Sequence, residues 1–222
     1  MAIKNKGLRK ITNSHFSDFC NMVSNLLKIQ NIRSDLIAAS KDDKSTEYLY
    51  NNTLINLECI KPDDLTEHFL KYMKTQRNTK DFLQEEAVDA LCIDKNNNFY
   101  IIEFKNRELY KKSSDLSYGS DIRKNLKEKM FKTLWMILSM DSMANSNLLS
   151  SDVIEFARQH ITYIIVVSSK KNPKEYQRIR LQQAMGEKYT PEIYKKYKDY
   201  YLKDVFMMTE RELPQFIDSF KV

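Results

Sequence analysis

The stretch Glu86–Asn106, EAVDALCIDKNNNFYIIEFKN, constrains the fold more than any other part of the chain. Two apolar runs, Ala87–Ile93 and Phe99–Phe104, flank a polar knot, Asp94-Lys-Asn-Asn-Asn98. β-forming residues on either side of an Asn/Asp cluster predict a β-hairpin with a short loop. With the turn centred on Asn96, Asp89 faces Glu103 and Ala87 faces Lys105. Opposed residues project to the same side of a sheet, as do residues two apart on one strand. Asp89, Glu103 and Lys105 therefore share one face. A slip of one residue would carry Asp89 to the other side.

Two opposed carboxylates in an apolar hairpin destabilise it. They raise each other's pKa or need a cation between them. A divalent metal and the lysine ammonium are the evident compensations. The plainer reading makes these charges solvent-facing on a half-exposed hairpin.

Asp89, followed at this spacing by Glu103-Phe104-Lys105 on a second apolar strand, resembles the PD-(D/E)xK nuclease superfamily, with Val88 where the motif's proline stands. The resemblance covers about the middle third of the chain. It implies an α/β fold with a restriction-endonuclease-like αβββαβ core, a mixed central sheet flanked by helices. It implies Asp89 and Glu103 as ligands of Mg²⁺ or Mn²⁺, the backbone carbonyl of Phe104 as a further ligand, and Lys105 as the catalytic lysine acting on the attacking water. The family often adds an acid from the first core helix. Glu58, Glu67, Glu85 and Glu86 are the candidates, and Glu86 lies nearest the motif.

The rest of the chain bounds this reading. Three glycines leave no Gly-rich phosphate loop, which disfavours dinucleotide and P-loop functions. Cys20, Cys59 and Cys92 lack CxxC spacing, and His15, His68 and His160 lack HExxH or HxH spacing, so neither a disulfide framework nor a zinc site is expected. Unpaired cysteines suit a reducing cytoplasm. The basic N-terminal stretch has no apolar run, so no signal peptide is expected, and no stretch approaches the ~20 apolar residues of a membrane span. A net charge of +6 favours an anionic partner.

Residues 1–222 read as one nuclease-like domain, with a core over about 60–170 and a basic, Tyr-rich C-terminal extension over about 170–222. Helical spacing joins Phe16, Phe19, Cys20, Val23 and Leu27. Residues 35–47 read as loop or a short helical turn, and Thr53–Leu57 as a strand. Pro62-Asp63-Asp64 opens a helix carrying Leu65, Phe69 and Met73. Residues 107–120 read as a long loop before a helix from about Asp121, whose ridge is Ile122, Leu126, Met130, Leu134, Ile137 and Leu138. Its basic side chains Arg123, Lys124 and Lys127 are candidate nucleic-acid contacts, against the plainer reading of a solvated face. Residues 139–152 read as a second loop-like segment, with or without helix turns breaking it. Ile161–Val167 is a continuous apolar run expected as a buried central strand. Lys170–Lys203 holds ten Lys/Arg against four Asp/Glu and six tyrosines. These either grip phosphates and stack on bases or pack Tyr194, Tyr197 and Tyr201 as the inner face of a helix. A short strand at Asp204–Met208 and a helix over 210–220 close the chain.

The expected activity is metal-dependent hydrolysis of a phosphodiester in nucleic acid, DNA ahead of RNA, in phage defence or DNA repair; a homodimer is compatible with it. Two alternatives stand beside it: a catalytically inactive nuclease-fold module that binds nucleic acid or a protein, and an unrelated α/β protein with structural hairpin charges.

Overall fold

The computed structural model describes residues 14–41, 47–52, 57–77, 86–109, 116–146, 148–149 and 152–220, the side chains of 77 and 116–123 excepted. In chain order the elements are α1 (Ser14–Leu27), β1 (Arg33–Asp35), α2 (Leu36–Ala39), β2 (Glu58–Ile60), α3 (Pro62–Arg77), β3 (Ala90–Ile93), β4 (Phe99–Lys105), α4 (Leu116–Ala144), α5 (Val153–His160), β5 (Ile161–Val167), α6 (Pro173–Ala184), α7 (Glu192–Lys195), β6 (Asp204–Thr209) and α8 (Leu213–Asp218). The strands form one six-stranded mixed sheet in sequential order. β1 to β4 pair antiparallel, and β5 and β6 add on in parallel.

The hairpin turn is built by one side chain. The Asp94 carboxylate accepts hydrogen bonds from the Asn96 and Asn98 amides (2.8 and 2.9 Å), from Asn98 Nδ2 (2.9 Å) and from the Tyr100 hydroxyl (2.9 Å). Asn97 takes the left-handed conformation (φ 59°) that asparagine tolerates. This turn pairs Ala90 with Ile102, Leu91 with Ile101, Cys92 with Tyr100 and Ile93 with Phe99. Every pair sums to 192, so Asp89, one residue ahead of β3, stands opposite Glu103.

One sheet face carries Leu91, Ile93, Phe99, Ile101, Tyr163 and Ile165 and packs under α1, α3, α4 and α5. The other carries Ala90, Cys92, Ile102, Phe104, Ile164 and Val166 and is covered by α2 and α8. β5 is buried along its whole length, as its unbroken apolar run requires. α1 buries Phe16, Phe19, Cys20, Val23 and Leu27 and stops where Lys28 turns left-handed (φ 53°).

Several elements differ from the sequence expectation. β1 is a further strand, where Arg33 pairs with Glu58 across β1–β2 (3.2 Å), and α2 is the short helical turn allowed for residues 35–47, capped by the Asp35 carboxylate on the Ala38 amide (2.8 Å). The expected strand over 53–57 lies almost wholly outside the described residues, and β2 follows it. α4 begins earlier and runs later than expected, absorbing parts of both neighbouring loops. α5 is a further helix, capped by Asp152 on the Ile154 and Glu155 amides. Tyr194 and Tyr197 are buried, but through a single helical turn and its exit rather than along one helix; Tyr200 and Tyr201 are exposed. No described helix is long and apolar enough to cross a membrane.

Candidate active site

Odd-numbered residues of β4 point toward α4, so Glu103 and Lys105 lie in the layer between sheet and helix. Glu103 has no exposed surface. Its Oε1 receives the Lys105 ammonium at 2.6 Å and the Lys129 ammonium at 3.2 Å. Both are charge contacts, off ordinary hydrogen-bond angles, and Oε2 has no hydrogen-bond partner among the described residues. A buried, unpartnered carboxylate oxygen is costly.

Asp89 is held differently. Its Oδ2 accepts the Phe104 amide at 2.6 Å. Burial pushes its carboxyl well above the usual range, the Glu103 charge adds to that, and Lys129, the Phe104 amide and Lys105 pull it back. The Lys105 carbonyl accepts from the Ser168 amide beyond β5 (3.2 Å). Carbonyls alternate along a strand, so the Phe104 carbonyl is directed to the β3 side, where Asp89 stands.

Two further groups come from flanking helices. Asp63, in the first turn of α3, accepts the Ala87 amide at 2.6 Å. Burial raises its pKa first; the Ala87 amide and Lys129 lower it, and Glu103 and Glu86 raise it. Thr133 of α4 accepts the Val88 amide at 3.0 Å. Together these two side chains fix the segment that delivers Asp89. Lys129 lies one helical turn before Thr133 and also approaches Glu86 Oε2 at 3.7 Å. Burial lowers the Lys129 pKa, but the Glu103, Asp89 and Asp63 carboxylates outweigh it and hold the ammonium firmly protonated.

Glu86 stands at the exposed rim. It accepts from Asn125 Nδ2 (3.2 Å), which lowers its pKa; burial opposes this, and Lys129, Lys105 and Lys132 add to the lowering. Of the other acids considered, Glu58 pairs with Arg33, Glu67 is exposed on α3, and Glu85 lies outside the described residues. Lys124 is exposed and pairs with Glu128 (3.8 Å), Lys127 is half-buried, and the side chain of Arg123 is outside the description.

Sequence reasoning passed over Asp63, Lys129 and Thr133. Lys129 and Thr133 interrupt the apolar stripe Leu126, Met130, Leu134, Ile137 at stripe positions, which was the readable signal. Asp63 was accounted for by its place at a helix N-terminus.

Among the described residues no group of three or more His, Cys, Asp or Glu converges as a metal cage. Even so, the residues fit a hard divalent cation. Glu103 Oε2 is an unused hard donor. Asp89, opposed to Glu103 across the hairpin, and the Phe104 carbonyl beside it are further hard oxygen donors. No protein-family model, curated protein or solved structure matches this chain.

Proposed function

We propose that the protein is a metal-dependent nuclease acting on DNA in preference to RNA, with Asp89, Glu103 and the Phe104 carbonyl as the ligand set for Mg²⁺ or Mn²⁺. The observation that carries this reading is the opposed carboxylate pair, one member fully buried, with Lys105 on the same face 2.6 Å from Glu103. Further support comes from the strand order. β2, β3 and β4 make an antiparallel run, α4 follows, and β5 returns parallel to β4, an order compatible with an αβββαβ core. The insertion of α3 between β2 and β3 departs from that pattern.

Asp89, Glu103 and the Phe104 carbonyl would hold the ion, which would supply a water of lowered pKa and offset charge on the phosphate. Glu103 is oriented for its part by two ammoniums, and Asp89 by the Phe104 amide. Lys105, 2.6 Å from Glu103 on the same face, is placed to orient the attacking water and stabilise the phosphate's developing charge. The Asp63–Ala87 and Thr133–Val88 contacts hold the Asp89 segment against α3 and α4.

The second reading, a module that binds without cutting, is favoured by the two lysines that already neutralise Glu103. Incubation with plasmid, single-stranded DNA and RNA, with Mn²⁺ or with chelator, separates the two. The nuclease reading expects metal-dependent cleavage by the parent and none by Lys105→Ala, with DNA binding retained. Salt-dependent binding without cleavage of any substrate establishes the module instead.

A further inference from the structure

Lys129 has no counterpart in the ligand set above. It lies on the buried stripe of α4, between Leu126 and Met130. Placing an ammonium there is unfavourable unless opposite charge meets it. Two carboxylates do, from two different segments: Glu103 of β4 at 3.2 Å and Glu86, ahead of β3, at 3.7 Å. Lys105 alone gives Glu103 a counter-ion at 2.6 Å. Lys129 therefore places a second positive charge on an oxygen already paired, while the other Glu103 oxygen has none.

A Mg²⁺-type ion binds carboxylate oxygen at about 2.0–2.1 Å. An ion on Glu103 would stand within a few ångströms of an ammonium that touches the same carboxylate. Like charges at that range, in a site with little water, repel strongly. Glu86 offers the ammonium somewhere to go: it already lies within 4 Å of Lys129, and its side chain is exposed at the rim.

We propose that Lys129 is a positioning residue that holds the Glu103 carboxylate in place of a divalent ion and yields to the ion by moving onto Glu86. This rests on the metal-binding reading above. It makes the site self-neutralising without metal, and it sets the metal affinity by competition rather than by ligand count.

The test is Mn²⁺ titration of the full chain by calorimetry, with the Mn²⁺-induced rise in Tm alongside it. Lys129→Met and Lys129→Gln are compared with the parent, and circular dichroism checks that each is folded. Both variants are expected to have a lower Tm in chelator and to bind Mn²⁺ about tenfold tighter or more, from the Coulomb repulsion removed. A lysine that serves only the fold gives the opposite sign, with weaker Mn²⁺ binding in both. Glu86→Gln is expected to weaken Mn²⁺ binding in the parent and to leave it unchanged in the Lys129→Met background, since no ammonium then needs a second partner. Folded Lys129 variants that bind Mn²⁺ no tighter than the parent overturn the inference and leave the metal reading intact. Absence of Mn²⁺ uptake in the parent and both variants removes the metal reading itself, and the inference with it.

Discussion

Neutralising Asp89 and neutralising Glu103 should move stability in opposite directions, although both are carboxylates of one site. Asp89→Asn keeps an oxygen to accept the Phe104 amide and removes a charge that burial and Glu103 both oppose. The Cβ atoms of opposed strand residues lie about 5 Å apart, which sets the scale for their charges. At an effective dielectric of 20 those charges repel by about 3 kcal/mol. Lys129 and Lys105 return part of this by attraction, so the net gain from Asp89→Asn is about 1–2 kcal/mol. For a chain of this size that is a rise in Tm of about 2–8 °C. Glu103→Gln instead strips two buried ammoniums of their shared counter-charge. Breaking a buried pair from one side costs about 3–5 kcal/mol, a fall in Tm of at least about 6 °C.

The pH dependence follows from the same shift. The folded Asp89 carboxyl holds its proton above its unfolded pKa of about 3.9. The parent therefore has this stabilisation in full below about pH 4 and loses it as pH rises through the folded pKa. The advantage of Asp89→Asn should be greatest near neutral pH and vanish toward about pH 4. Thermal melts in chelator between acid and neutral pH read all of this. A lower Tm for Asp89→Asn at neutral pH, or a higher one for Glu103→Gln, refutes the charge assignment.

Other perturbations follow from the same contacts. Asp94→Ala deletes the acceptor of four hydrogen bonds in the hairpin turn and should cost about 2–4 kcal/mol, read by denaturant melts; Asn97→Gly, at a left-handed position, should be neutral or slightly stabilising. Asn172 is buried and accepts the Leu109 amide (2.8 Å) while donating to the Arg107 and Ser168 carbonyls (3.0 and 3.2 Å). Asn172→Ala should cost about 2–3 kcal/mol and speed proteolysis just after β4, seen by mass spectrometry of the fragments; an unchanged digestion pattern would count against that tie. Lys105→Ala should abolish cleavage while leaving the salt dependence of DNA binding in place, and cleavage at the parental rate rules out its assigned role.

The hairpin was legible because local chemistry sets it. Asp94 and the asparagines specify the turn, and the turn fixes the register that brings Asp89 opposite Glu103. β5 was legible because a seven-residue run, apolar but for Thr162, leaves no polar face to expose. β1 was not, because a strand of three residues owes its form to partners far along the chain, such as the Arg33–Glu58 pair. Tyr194 and Tyr197 show the limit of periodicity: both are buried, yet a turn rather than a helix buries them. Lys129 and Thr133 were missed for a related reason. A polar residue on an apolar stripe becomes informative only once the surface opposite it is known, and that surface comes from β3, β4 and the segment ahead of them.

The central claim is that Asp89 and Glu103 hold one divalent ion together. Calorimetric titration of Mn²⁺ into the parent, Asp89→Ala and Glu103→Ala tests it most directly. The account predicts binding at a single class of site in the parent and its loss in both variants. Binding that survives either substitution contradicts it, because the two carboxylates would then not share the ion.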